Sequence, residues 1–240
     1  MKKIALILAG ASLAVTSAFG ASVASDSSAN YGGVWNNGSN GGFGFGAWTL
    51  NDGDGGHYIG GTGLGANTFG LFNTFTTTTT DAIRPFTGVF NAGDTFSINL
   101  GFSTFATTGS VGINLRSGTN EVITLFTTGS GDWQLNDGGG NFSAGALALA
   151  NTAYTFSLTY NGGTSYSFSL TGSPGGINFN SSNGGISSID NVRFFNFNQG
   201  PGANFGFDNL SVVPEPSSLA LFMGPALLGA WFFVRRRRTA

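Results

Sequence analysis

The chain has 240 residues, with 11 acidic and 9 basic side chains, one histidine and no cysteine. Without cysteine, disulfides, thiol catalysis and a thiolate metal centre are excluded. Between residues 25 and 212, ten acidic side chains face only three basic ones (Arg84, Arg116 and Arg193), a net charge of −7; nucleic acid and anionic membrane surfaces are therefore excluded as partners of this stretch.

The chain opens with Lys2-Lys3, an apolar run from Ile4 to Val15, and then small residues. That order predicts a secretory signal peptide read by the secretion machinery, in a run too short to span a bilayer. Ser22-Val23-Ala24 places small residues at −3 and −1, so cleavage is expected after Ala24 and the leader is residues 1–24. Ala18-Phe19-Gly20 is the second option.

From residue 25 to 212 the pattern is strand and turn. Tyr154, Phe156, Leu158 and Tyr160 alternate with Thr and Ser. Asn161-Gly162-Gly163 turns the chain, and Tyr166, Phe168 and Leu170 alternate on the return, predicting a hairpin. Further strands are expected at Phe96–Phe102, Val111–Leu115, Val122–Phe126, Arg193–Phe197 and Phe205–Phe207. Clusters of Gly, Asn and Asp at 36–42, 51–56, 136–141 and 180–185 read as turns, and Ala144–Ala153 as one helical turn. Thr76–Thr80 reads as a solvated edge strand. This predicts an all-β, antiparallel β-sandwich of jelly-roll type over 25–212, read as one domain.

Two places in this body carry binding chemistry. Asp52 and Asp54 stand two apart in the glycine-rich Asn51–Gly56 loop, a geometry suited to calcium or simply to a Gly-Asp-Gly turn. Trp133, Asn136 and Asp137 combine an aromatic face with polar forks, as a sugar site requires; a Trp buried in the sandwich is the other reading, shared by Trp35 and Trp48. Catalysis finds little footing, because a hydrolytic triad or a zinc site would rest on His57 alone, and no Gly-x-Ser-x-Gly elbow is present. The expectation is no enzyme and no cofactor, calcium aside.

The tail has three parts: Val213-Pro214-Glu215-Pro216-Ser217, an uncharged stretch through Val234, and Arg235-Arg236-Arg237-Arg238 before Thr239-Ala240. As a helix, residues 217–234 would span roughly 27 Å, the length of a bilayer core, and Gly224-Pro225 would kink it. The four arginines hold that end in the cytoplasm and leave the body outside. Pro214 and Pro216 keep Glu215 extended, where a processing enzyme can read it.

This tail, 213–240, resembles the PEP-CTERM sorting signal of Gram-negative bacteria. The resemblance implies an exosortase as processing partner, a precursor held in the inner membrane, and a mature protein at the cell surface or outside. The body's ending, Ile189-Asp190-Asn191-Val192 and then Phe207-Asp208-Asn209-Leu210-Ser211-Val212, resembles concanavalin-type jelly rolls and carbohydrate-binding modules. Because the sorting family is associated with exopolysaccharide-producing bacteria, the expected role is structural or adhesive, in a surface or matrix protein contacting exopolysaccharide. A lectin-like module, calcium-dependent or not, is the alternative.

Overall fold

Tyr154, Phe156, Leu158 and Tyr160 are all buried, while the Thr and Ser between them are not, so alternate residues of this strand enter the core and leave it. The same alternation builds two antiparallel sheets in the computed structural model, which describes residues 23–74, 78–88, 90–102, 104, 108–129, 132–138, 141–146, 153–172, 175–182 and 188–214. Strands are numbered in chain order. The first sheet holds β1 (Ala24–Asp26), β3 (Gly55–Gly60), β4 (Thr68–Asn73), β6 (Thr95–Phe102), β11 (Ala153–Gly162), β12 (Ser165–Gly172), β13 (Gly175–Ser182) and β15 (Phe205–Val213). The second holds β2 (Thr49–Asn51), β5 (Thr79–Pro85), β7 (Ser110–Ser117), β8 (Asn120–Thr128), β9 (Asp132–Asn136), β10 (Asn141–Ala146) and β14 (Asn191–Phe197).

The first sheet runs β13-β12-β11-β6-β15-β4-β3, with β1 also paired to β15; the second runs β10-β9-β8-β7-β14-β5-β2. The expected hairpin is β11–β12, where Gly162 and Gly163 take φ of 96° and 62°, backbone that a side chain resists. Between the sheets lies an aromatic core, with Phe194 of β14 stacked on Phe207 of β15 at 3.9 Å between ring centres and 10° between planes. Trp35, Trp48 and Phe69 pack around that stack, all at most 3 % exposed.

The all-β, antiparallel sandwich expected from the sequence is what forms. Three local expectations differ. β10 extends through Ala146, so the start of the expected helical turn is strand; 147–152 lie outside the described residues. β13 extends through Ser182 because it pairs in register with β12, Ser165 opposite Ser182, so 180–182 of the expected turn are strand, and 183–185 lie outside the described residues. Thr79 and Thr80 belong to β5, which lies between β14 and β2 and is no edge; Thr80 is buried, its hydroxyl donating to the Asp52 carbonyl at 2.7 Å. Among the described residues no helix is long and apolar enough to cross a membrane. The helix expected over 217–234 lies outside them, as does the leader before Val23.

Candidate functional site

Strand β14 sends Val192, Phe194 and Asn196 into the core, so Arg193, Phe195 and Phe197 take the opposite face, where Phe195 is itself covered to 8 % exposure. Register then decides their neighbours. Arg193 stands opposite Asn114 of β7 and Ile83 of β5, while Phe195 stands opposite Gly112 and Asp81. On the next strand, Asn114 faces Thr124 and Gly112 faces Phe126 of β8. Gly112 therefore sits between the Phe126 and Phe195 positions on this face. A Cβ at Gly112 would lie 2.2 Å from the Leu125 carbonyl oxygen and 2.9 Å from Phe126 Cβ, so β8 fills the space beside it and only glycine fits there.

A continuous polar row runs along this face. The Arg193 guanidinium donates to Asp81 Oδ2 at 3.0 Å, to Asn114 Oδ1 at 3.2 Å and to Glu121 Oε1 at 3.3 Å, and lies 5.4 Å from the centre of the Phe195 ring. Asn51 Nδ2 donates to Asp81 Oδ1 at 2.8 Å, and Asn114 Nδ2 to Thr124 Oγ1 at 2.8 Å. Arg193, Asn114, Glu121, Thr124 and Phe195 line a groove of about 480 Å³ with Phe126 and Phe197, the latter 39 % exposed. The groove lining carries one cation and one carboxylate, Arg193 and Glu121. It offers aromatic faces beside amide and hydroxyl forks, the pairing that binds uncharged polyhydroxylated rings.

The residues expected at a sugar site divide here. Asn136 lines the groove, its Oδ1 accepting from the Gly138 amide at 2.9 Å. Trp133 points the other way along β9 and is fully buried against Phe102 and Tyr154, at 5.7 and 5.6 Å between ring centres. Its ring therefore presents no face to a ligand. Asp137 is buried and accepts the Tyr166 hydroxyl at 2.8 Å, a tether between the sheets. Asp52, in the turn from β2 to β3, lies 2.5 Å from His57 Nδ1 through its Oδ1. Asp54 joins the same turn through its backbone, its amide donating to Thr78 Oγ1 at 2.9 Å and its carbonyl accepting from Thr74. Among the described residues no three His, Asp or Glu side chains gather where a metal could be held. Of the sorting residues, Val213 ends β15 and Pro214 follows it; Glu215, Pro216, Ser217 and Arg235–Arg238 lie outside the described residues.

Nothing local in the sequence marks Arg193, Asp81 and Glu121 as a group. Arg193 is 112 residues from Asp81 and 72 from Glu121. The visible signal was the outward set Arg-x-Phe-x-Phe in β14, which marks a face but not what stands beside it.

Among solved structures the fold is similar to that of a sialidase, with a TM-score of 0.53 at 10% identity over 71% of this chain. The match spans only 17% of the sialidase. More distant likenesses are carbohydrate-binding module CBM66 from Bacillus subtilis (TM-score 0.43, 11% identity, 69% of this chain and 94% of that one) and the Caenorhabditis elegans galectin LEC-6 (0.39, 17%, 60% and 94%). No curated protein matches the chain in sequence. Residues 212–238 match the PEP-CTERM protein-sorting motif, which marks the chain as exported and as a substrate of exosortase-type processing.

Proposed function

We infer that the exported body is a non-enzymatic carbohydrate-binding protein of the cell surface or extracellular matrix, and that its outer groove takes a neutral saccharide. Adhesion to exopolysaccharide is the role this binding serves. The leader and the 217–234 span act only in delivery. The observation that carries this reading is the outer groove, where Phe126, Phe195 and Phe197 stand beside Arg193, Asn114 and Thr124. Sugar C–H faces stack on the rings, and hydroxyls take the forks. Asp81 and Glu121 are both ion-paired to Arg193; a glycosidase general acid instead occupies a site that favours its protonated form.

The test is titration of the processed protein with neutral oligosaccharides and with the producing organism's own exopolysaccharide, in calcium and in chelator. Saturable binding is expected in both buffers, weakened about tenfold or more by Phe126→Ala and by Phe195→Ala, since 1.4 kcal/mol is a factor of ten. Equal affinity in the wild type and both variants refutes the groove. Binding lost in chelator, and lost in Asp52→Asn/Asp54→Asn, moves the site to the β2–β3 turn.

A further inference from the structure

The two ends of the body are zipped together. β1 pairs with β15 in the register Ala24–Val212, Ser25–Ser211 and Asp26–Leu210, and the Val23 amide donates to the Val212 carbonyl at 2.9 Å. Ser25 and Phe43 exchange both backbone hydrogen bonds at 2.9 Å. Ala24 is 3 % exposed. Gly44 approaches this strand so closely that a Cβ there would lie 2.3 Å from the Val23 oxygen and 2.5 Å from Ala24 Cα; its φ of +72° also calls for glycine. Val23 and Ala24 further wall a largely apolar cavity of about 410 Å³ with Phe86, Phe90 and Val212.

A cut after Ala24 removes these two residues. It deletes the Val23–Val212 hydrogen bond and the first pair of β1, and opens the cavity wall. Asp26, whose carboxylate is buried against Arg84, becomes the second residue of the chain, where ends fray. The other bond that the small-residue pattern allows carries none of these costs. Ala18 and Gly20 stand at −3 and −1 of the Gly20–Ala21 bond, five residues beyond the apolar run's end at Val15, and a cut there keeps all of β1.

We propose that the signal segment is removed between Gly20 and Ala21, so that the mature protein begins at Ala21. This rests on the reading of residues 1–20 as an export leader. A leader peptidase adds one water across the Gly20–Ala21 amide, leaving the Gly20 carboxylate on the released leader and the Ala21 amine on the body. The leader peptidase meets an unfolded chain, so the fold does not block the Ala24 bond; it makes that product a poorer fold.

The test is intact mass and N-terminal sequencing of the exported protein from its own host. A terminus at Ala21 is expected. A terminus at Ser25 overturns the proposal. A chain still beginning at Met1 overturns it too, and with it the leader reading, so the two failures are distinguishable. Gly20→Arg removes the small residue at −1 and should leave the leader attached or shift the cut; an unchanged terminus in that variant also overturns the proposal.

Discussion

Arg84 Nη2 lies 2.8 Å from Asp26 Oδ2 with both side chains fully buried, tying the N-terminal strand of one sheet to β5 of the other. The contact is an ion pair rather than an aligned hydrogen bond. Around it, Tyr31 Oη donates to Asp26 Oδ2 at 2.7 Å, Arg84 Nη1 donates to the Ser39 carbonyl at 3.3 Å, and the guanidinium lies 5.0 Å from the centre of the Trp48 ring. Burial pulls the Arg84 pKa below its usual value, and the Asp26 charge opposes that pull.

Asp26→Asn should therefore destabilise the body by about 3–5 kcal/mol, because it strands a buried guanidinium without its counter-charge. The double variant Asp26→Asn/Arg84→Met should recover much of the loss, since an apolar pair of similar volume fits such a site. Urea denaturation of the three proteins checks this. A single-variant loss below about 1 kcal/mol, the range of surface pairs, would show that the pair does not hold β1 in place.

Tyr31 makes the same cluster sensitive to alkali. Burial first, and then its hydrogen bond to Asp26, push its pKa up to about 12 from 10.0. A raised folded-state pKa gives stability that is complete below the unfolded value and is lost as pH rises through the folded one. The urea midpoint should hold to about pH 10 and fall between 10 and 12. Tyr31→Phe should remove most of that fall. Tyr58, also raised by burial, keeps a remainder. An identical alkaline slope in Tyr31→Phe would assign the transition to another group.

What the sequence showed and what it hid follow from distance along the chain. The β11–β12 hairpin was legible because its alternation and its turn glycines are contiguous. β14 was legible as a strand, yet the groove it borders depends on pairing with β5 and β7, strands about 80 or more residues away in sequence. β1 was hidden because its first residue, Ala24, fits a leader's cleavage pattern as well as it fits a strand. Trp133 shows the limit of reading composition before period. In Trp133-Gln134-Leu135-Asn136, alternation alone places Trp133 and Leu135 on one face and Gln134 and Asn136 on the other, and the buried face is the one with Trp133.

Trp133 is thus expected to be a stability residue. Trp133→Ala should cost about 3–5 kcal/mol by leaving a cavity against Phe102 and Tyr154. Trp133→Phe should cost clearly less, because the ring survives and the Nε1 donor that it removes is buried without a hydrogen-bond partner. Thermal melting gives the stabilities, and the saccharide titration supplies the control. Trp133→Phe should bind as the wild type does. Lost binding at unchanged stability would return the sugar site to Trp133.

The sorting motif begins inside the fold, and this bears on its processing. Val212 and Val213, at the start of the matched segment, are the last residues of β15, paired to Phe96 and Thr95 of β6. Pro214 has no amide hydrogen to continue the ladder, so regular pairing stops where the Pro-Glu-Pro element starts. Glu215 is the one charged residue between β15 and the uncharged stretch that runs through Val234. Glu215→Ala removes that charge while leaving both prolines and β15 intact. The precursor is then expected to stay uncut and in the membrane fraction, with an unchanged melting temperature for the body. Fractionation and immunoblotting against the body read both forms, and normal release of Glu215→Ala would show that the enzyme recognises the tail without this carboxylate.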